Sequence, residues 1–230
     1  MSLPANAHVS THPCLQAKLS QLRSASSGSR DVQTLVHEIA LMIGYEALGA
    51  TLTAQPGPND SSPLGYPYPT TTTTPAPTAI SLVPILRSGL SMVAALSSLL
   101  PAPVPVHHLG LYREKTTLQP VEYYNNLPYH AAPSASNTAP GPADLAIVVD
   151  PVIATGATAA AAIETLREHG VKRVLLIAVL ATRDGLARAC GEWEGVEVWV
   201  GGCDEGIDER GMIKPGLGDI GDRLFGTIGK

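Results

Sequence analysis

One segment of the chain places a carboxylate, a loop of small residues and the start of a helix in direct succession. The apolar run 145–149 leads into Asp150, and residues 152–158 then open an alanine-rich helix. Small side chains let main-chain N–H groups approach an anion, the helix N-terminus adds about 0.5 of a positive charge, and Thr155 and Thr158 offer hydroxyl donors. Asp150 cannot bind that anion, but it could accept hydrogen bonds from the hydroxyls of an attached sugar. The segment indicates a sugar-phosphate site, and the alternative is an ordinary turn with a helix cap.

Two arginines could bind the remaining charge of such a ligand. Arg87 follows the apolar stretch 80–84, where a strand gives way to a turn and a helix. A guanidinium there can bind a diphosphate in a bidentate manner that lysine cannot reproduce. A surface arginine after a strand is the alternative for Arg87. Arg113 precedes Glu114 and Lys115, and its local composition favours a solvated charged turn.

Residues 216–221 read Gly-Leu-Gly-Asp-Ile-Gly and match the G-x-G-x-x-G pattern of dinucleotide-binding loops. That fingerprint follows a strand and opens a helix within a unit of about 30 residues. Here Lys214 and Pro215 precede the pattern, and the chain ends at Lys230. We therefore expect a loop that binds a ligand through its main-chain groups, and not a dinucleotide site.

The elements that must position these residues alternate between strands and helices. An amphipathic helix is predicted over 31–48, with Gly49 placed to stop it. After Thr78 the pattern predicts strands at 80–84, 104–111, 145–150, 174–181 and 196–201. Helices are predicted between them at 90–100, 158–169 and 186–190. Such alternation predicts an α/β fold with a parallel sheet. Because ligands of these sheets bind beyond the carboxyl ends of the strands, the loops after Pro84, Asp150 and Asp204 are where chemistry is expected.

Composition narrows the class of protein. The 230 residues carry a net charge of -5, are 44% hydrophobic and show no cluster of basic residues, which argues against a nucleic-acid partner. No uncharged stretch is long enough to span a bilayer without prolines, and no basic segment followed by an apolar one begins the chain, so we expect no membrane association and a cytoplasmic location. We predict a single domain over 1–230, interrupted by flexible insertions at 53–78 and 130–143, which are rich in proline and small or polar residues.

Other polar residues receive structural interpretations. His107 and His108 are adjacent near a strand end, so they point to opposite faces and are not expected to hold a metal together. Cys190 and Cys203 are expected to be small core residues. The acidic stretch 204–211 lacks the spacing of a calcium loop and is predicted to be a solvated turn. No metal site built from protein side chains is predicted.

The motifs together resemble those of the uracil phosphoribosyltransferases, within the type I phosphoribosyltransferase superfamily. The acidic strand end Asp150-Pro151, followed by Thr155-Gly156, is similar to that family's loop for 5-phosphoribosyl 1-diphosphate (PRPP). Further similar segments, in the family's order, are 12–19, 45–47, 83–89, 111–114 and 215–223. The resemblance implies a phosphoribosyltransferase-type parallel sheet flanked by helices, with a small hood region formed from the N-terminal and C-terminal segments.

The resemblance also implies an activity and a set of site residues. The expected reaction joins uracil to PRPP, giving UMP and diphosphate in pyrimidine salvage, with Mg²⁺ held mainly through PRPP. Catalytic roles fall to Arg87, Arg113, Asp150 and Asp219. The residues expected to bind PRPP are these four together with Pro151, Val152, Ile153, Ala154, Thr155, Gly156, Ala157 and Thr158. Uracil would be bound by Ile213, Gly218, Asp219 and Ile220.

Three further expectations concern the ligands of the site. Uracil shows two carbonyl acceptors and one N–H donor, a set that main-chain groups of the glycine loop can match. The segment 113–124 would close over the reactants and exclude water. By resemblance the protein is a homodimer or homotetramer, with GTP considered as an effector.

Two alternatives stay open at the level of sequence. The chain could transfer phosphoribose to another base, or it could be a non-catalytic regulatory protein that binds PRPP or a nucleotide. Met212 stands where the family usually has a tyrosine, and Ala17 stands where it usually has a histidine. Both departures leave room for the regulatory alternative.

Overall fold

A mostly parallel β-sheet with helices on both faces forms the centre of the protein. The computed structural model describes residues 3–114, 120–128 and 141–227. The strands in these ranges are β1 (Ala7–Val9), β2 (Thr53–Ser61), β3 (Pro67–Thr74), β4 (Ile80–Leu86), β5 (Leu109–Arg113), β6 (Pro120–Asn125), β7 (Leu145–Val149), β8 (Val152–Ile153), β9 (Arg173–Thr182), β10 (Val196–Asp204), β11 (Gly206–Ile207) and β12 (Ile213–Lys214). The main sheet has the order β1-β10-β9-β7-β4-β5-β6, and only β5 and β6 pair in antiparallel fashion. The predicted α/β fold with a parallel sheet is confirmed.

The central strand β7 explains why its sequence is continuously apolar. All five of its residues are buried. Leu145, Ile147 and Val149 pack into a core on one face of the sheet, while Ala146 and Val148 pack into a second core on the other face. A strand covered on both faces has no solvent side and therefore shows no polar alternation.

Six α-helices of the described residues cover the sheet. They are α1 (Pro13–Arg23), α2 (Ser29–Thr51), α3 (Leu90–Leu99), α4 (Ala157–Glu168), α5 (Arg183–Gly191) and α6 (Ile220–Phe225), with a 3₁₀ turn at Pro77–Ala79. Buried residues of α1, α2, α3 and α6 belong to one core, and those of α4 and α5 to the other. No helix in the described ranges combines the length and apolar character that a bilayer crossing needs.

The prediction that Gly49 ends the long helix is wrong. Helix α2 continues to Thr51, and Gly49 is not among the glycines with positive φ. A glycine stops a helix by adopting left-handed backbone. Here Gly49 stays helical, and the chain turns extended only at Leu52.

The predicted insertion 53–78 has regular structure that its composition did not indicate. Strands β2 and β3 pair in antiparallel fashion as a separate two-stranded sheet, and nearly all of their residues are exposed. The threonine run lies in β3, since β-branched residues favour extended backbone. Flexibility of this hairpin stays a prediction. Of the other predicted insertion, 130–143, residues 130–140 lie outside the described residues.

The strand predicted over 104–111 begins later than expected. Leu82 N–H donates to Pro105 O, His107 N–H donates to Leu82 O, and a single bridge joins Leu82 to Val106. Regular pairing starts at Leu109. The delay follows from the prolines in this segment, which have no N–H to donate to a ladder.

The N-terminal and C-terminal segments meet beside the carboxyl ends of the strands. Ser29 Oγ and Gln33 Nε2 at the start of α2 both donate to Leu224 O in α6, each at 2.7 Å. Arg223 reaches the end of α1 by donating to Leu22 O at 2.6 Å. These contacts bring the two terminal segments together, as the hood implied by the resemblance requires.

Candidate active site

Asp150 lies directly after β7, at the carboxyl edge of the sheet. Ser88 Oγ donates to Asp150 Oδ1 at 3.0 Å, and the Val152 N–H also donates to this carboxyl. The side chain is half-buried by its accessible surface, yet protein atoms enclose it on most sides. Loss of hydration raises the pKa of Asp150 to about 7, and the two hydrogen bonds only partly oppose that rise. The carboxyl therefore changes its charge near neutral pH.

The loop after Asp150 returns to the sheet before it opens helix α4. Its strand β8 pairs with Leu180 and Ala181 of β9. Gly156 then adopts a left-handed backbone with φ 73° and precedes the first helical residue, Ala157. The first N–H groups of α4 have no acceptor within the helix and stand at its positive end. This geometry fits an anion such as phosphate.

A threonine that sequence reasoning missed supports this loop from behind. Thr182 Oγ1 donates to Ala154 O at 2.6 Å and accepts from Gly185 N–H at 2.9 Å. A Cβ on Gly156 would lie 2.6 Å from Gly185 O, so the loop and the start of α5 touch through their backbones. The N-cap position of Thr182 was visible as a threonine before a helix. Its second contact, to Ala154, was not.

Arg87 lies just beyond β4, and its side chain is exposed. Its guanidinium carbon is 5.7 Å from the centre of the Phe225 ring, a cation–π arrangement. The peptide between Leu86 and Arg87 is cis. Arg87, Ser88 and Asp150 line one cleft, so the arginine and the carboxyl face the same open space.

The glycine loop near the C-terminus is sharply folded. The Lys214–Pro215 peptide is cis, and Gly216 and Gly218 have φ of 60° and 75°. A Cβ on Gly216 would lie 1.9 Å from Ile213 O, so only glycine fits. Asp219 then caps α6, with its Oδ1 accepting from Asp222 N–H at 3.0 Å.

The structure brings the two predicted loops to one cavity. The cavity has a volume of about 160 Å³. Its lining includes Asp150, residues 152–158 and residues 217–220, together with Met212 and Ile213. The cleft of Arg87 adjoins this cavity and shares four lining residues with it, namely Asp150, Val152, Asp219 and Ile220.

One predicted site residue, Pro151, is not part of the lining of this cavity. Pro151 is buried, and its carbonyl accepts from Val179 N–H and Leu180 N–H at 3.0 Å, so it is directed into the sheet. Arg113 ends β5, and its side chain lies outside the description. Residues 115–119 of the predicted closing segment also lie outside it, while β5 and β6 on either side form an antiparallel pair.

The prediction of a solvated turn over 204–211 is wrong for its first residue. Asp204 is only 8% exposed, and its carboxylate forms two hydrogen bonds with Arg23, at 2.7 and 2.8 Å. The remaining acidic residues of the segment are exposed as expected. In the core, Cys190 is buried as predicted, whereas Cys203 is half-buried.

Comparisons with known proteins agree on one family. The family model described as uracil phosphoribosyltransferase matches residues 9–227. The uracil phosphoribosyltransferase of Clostridioides difficile is 40% identical, over 94% of this chain and 96% of the relative, and that of Finegoldia magna is 41% identical over the same shares.

Solved structures show the same fold. The AQ2163 protein from Aquifex aeolicus superposes with a TM-score of 0.83 at 28% identity, over 95% of this chain and 97% of that one. Adenine phosphoribosyl transferase from Trypanosoma brucei, at 15% identity and a TM-score of 0.50, shares the fold alone. The family match over residues 9–227 and relatives of about 40% identity show that this chain belongs to the uracil phosphoribosyltransferase family.

Proposed function

We propose that the protein transfers the phosphoribosyl group of PRPP to uracil, forming UMP and releasing diphosphate. The observation that carries the proposal is the single cavity between the start of α4 and the glycine loop 216–221. A nucleotide needs a phosphate site, a ribose site and a base site in succession, and this cavity offers one candidate for each. The family membership and the family's named activity support the same conclusion.

The 5′-phosphate is assigned to the loop 152–158. The N–H groups at the start of α4 lie at the positive end of a twelve-residue helix. Thr155 and Thr158 are half-buried beside them and line the cavity. Thr155 Oγ1 accepts a long contact of 3.4 Å from Ala157 N–H, which does not use the hydroxyl hydrogen, so this hydroxyl can still donate to an anion.

The ribose is assigned to Asp150. Its carboxyl lies between the phosphate loop and the cleft of Arg87, where the sugar of PRPP would lie. Ser88 and the Val152 N–H fix its orientation, and an ionised carboxylate keeps acceptor capacity for sugar hydroxyls. Because hydroxyl donors favour the ionised form, bound ribose lowers the pKa of Asp150 from about 7.

The leaving diphosphate is assigned to Arg87 and Arg113. Bond breaking at ribose C1 places positive charge on the sugar and negative charge on the leaving group, and fixed cations stabilise the latter. Phe225 lies beside the Arg87 guanidinium in a cation–π arrangement, which favours this position of the charge. The segment 113–124 is proposed to close over this side and exclude water.

Mg²⁺ fits this side of the site as a companion of PRPP. Within residues 3–114, 120–128 and 141–227, no three histidine, cysteine or acidic side chains converge on a point. The open cleft therefore suits an ion held by phosphate and ribose oxygens and by water, which is a common mode for Mg²⁺. When bound, the ion neutralises charge on the diphosphate.

The base is assigned to residues 213 and 218–220. Ile213 supplies an apolar wall, and the glycine loop presents main-chain groups to the cavity. Buried main-chain donors discriminate between bases, because each mispaired group costs about 1–3 kcal/mol. Met212 lines the same cavity, so the missing tyrosine is replaced by a flexible apolar side chain.

We also propose a single domain over 1–230, a homodimer or homotetramer, a cytoplasmic location and GTP as an effector. These proposals rest on the family. Size-exclusion chromatography with light scattering tests the oligomer, and UMP formation with and without GTP tests the effector.

The activity is tested by incubating uracil, PRPP and Mg²⁺ with the protein and measuring UMP. The Asp150→Asn variant is run beside it, with hypoxanthine, guanine and adenine as alternative bases. We expect UMP from uracil alone and a large loss in the variant. Tight PRPP binding without diphosphate release would favour a regulatory protein and contradict the proposal.

A further inference from the structure

An ion pair with a buried carboxylate and a half-buried guanidinium lies behind the glycine loop and binds both main-chain groups of one residue. Arg23, at the end of α1, forms two hydrogen bonds with Asp204, at the end of β10. Arg23 Nη1 also donates to Gly216 O at 2.7 Å, and Gly216 N–H donates to Asp204 Oδ2 at 3.0 Å. The pair therefore fixes the orientation of the peptides on both sides of Gly216.

A second arginine binds the next carbonyl of the loop. Arg223 Nη1 donates to Leu217 O and to Leu22 O, each at 2.6 Å, and Arg223 Nη2 donates to Ser24 O at 2.8 Å. Arg223 thus ties the loop to the end of α1, which also carries Arg23. Two consecutive carbonyls of the loop, at Gly216 and Leu217, are bound by arginines.

The loop separates the arginines from the proposed active site. Arg23 and Arg223 line a second cavity, with Ser29 and Pro215, on the far side of the loop. Leu217 and Gly218 line both this cavity and the one that contains Asp150. In a trans peptide the C=O and the following N–H point in opposite directions. Carbonyls directed at the arginines therefore turn the N–H groups of Leu217 and Gly218 away from them, toward the active-site side.

The electrostatics favour a charged pair. Burial alone would raise the pKa of Asp204, but hydrogen bonds from Arg23 and from Gly216 N–H outweigh it and hold the pKa below its ordinary value. The carboxylate stays ionised at neutral pH. The loop contains Gly216 and Gly218, and because glycine has no Cβ it can adopt many backbone conformations when it is not restrained.

We propose that Arg23, Asp204 and Arg223 are positioning residues that set the affinity for the nucleobase by directing the N–H groups of Leu217 and Gly218 at its carbonyl oxygens. None of the three lines the cavity that contains Asp150 or the cleft of Arg87. The proposal rests on the proposed function, because it assigns the loop to uracil. It predicts that weakening these contacts affects the binding of uracil and not that of PRPP.

The test compares Arg23→Lys with Arg223→Lys and with a matched control. Lysine keeps the positive charge but cannot bind a carboxylate and a carbonyl in the same fork geometry. Lys18→Met is the control, because Lys18 lies on the same helix, is 28% exposed against 26% for Arg23, and pairs only with Glu38 among the contacts of the described residues. Arg223→Lys leaves no buried carboxylate unpaired, so it tests the claim even if Arg23→Lys fails to fold.

Steady-state kinetics and PRPP binding are measured for each folded variant. We expect the KM for uracil to rise at least tenfold in both lysine variants, with the PRPP dissociation constant within twofold of the starting protein and no change in Lys18→Met. An unchanged KM for uracil overturns the inference. A variant that loses activity only because fewer of its molecules are active, with the KM for uracil unchanged, overturns it too. If the unaltered protein makes no UMP, the proposed function itself fails. If the unaltered protein makes UMP but the KM for uracil does not change in the lysine variants, only the further inference fails.

Discussion

Replacing Asp150 by asparagine should stabilise the protein in a way that depends on pH. The pKa of Asp150 is raised to about 7 in the folded protein, above its ordinary value of 3.8. A raised pKa means that the folded state binds this proton more tightly than the unfolded chain does. Its contribution to the free energy of unfolding is therefore present below about pH 4, declines as the pH rises, and is lost above about pH 7.

The size of the effect follows from the shift. One pKa unit corresponds to about 1.4 kcal/mol, so the difference between about 7 and 3.8 amounts to about 4 kcal/mol at most. The asparagine side chain is neutral at every pH, so the variant does not lose this stability as the pH rises. We expect the free energy of unfolding of Asp150→Asn to be higher than that of the unaltered protein by up to about 4 kcal/mol at pH 8. Near pH 4 the two values should be similar, whatever the loss of activity in the variant.

Urea unfolding at pH 4.5, 6, 7 and 8.5, at one protein concentration, measures the difference between the two proteins. Glu205→Gln, which removes an exposed carboxylate from the segment after β10, controls for the loss of one negative charge. A difference between Asp150→Asn and the unaltered protein that stays constant across this range would refute the reasoning about burial of the carboxyl.

Three further substitutions test the supports of the site. Gly156→Ala places a Cβ 2.6 Å from Gly185 O at a φ of 73°. We expect it to lower the free energy of unfolding by about 1–3 kcal/mol in thermal unfolding, and to raise the KM for PRPP at least tenfold in steady-state kinetics. Thr182→Val leaves Ala154 O and Gly185 N–H without their hydroxyl partner, and should cost about 1–3 kcal/mol in denaturant unfolding; an unchanged midpoint would contradict the contact. Phe225→Leu removes the ring beside Arg87 and should weaken PRPP binding several-fold in calorimetry with little effect on stability, because Phe225 is 41% exposed.

The sheet and the loop of small residues before α4 could be predicted because their signals are local. A strand buried on both faces must be apolar throughout, as 145–149 is, and a loop that admits an anion to a helix N-terminus must have small side chains, as 154–157 has. Neither inference needs knowledge of a distant partner. The position of the glycine loop opposite Asp150 was different, because only the resemblance to a family implied it.

The contacts that sequence reasoning missed join residues far apart in the chain. Asp204 was expected in a solvated turn, yet its partner Arg23 precedes it by 181 residues. The hydroxyl of Ser88 meets Asp150 only because β4 and β7 are neighbours in the sheet. Composition describes exposure well, as in the hairpin of β2 and β3, but it does not show which backbone groups will pair.

A crystal structure of the protein with UMP bound would test the three proposed subsites together, because this one ligand carries a phosphate, a ribose and the base. We expect the phosphate within hydrogen-bonding distance of the main-chain N–H groups of residues 155–158, the ribose hydroxyls on Asp150, and the uracil ring against residues 217–220. Phosphate found elsewhere, or a base that does not reach the glycine loop, would contradict this assignment of the subsites.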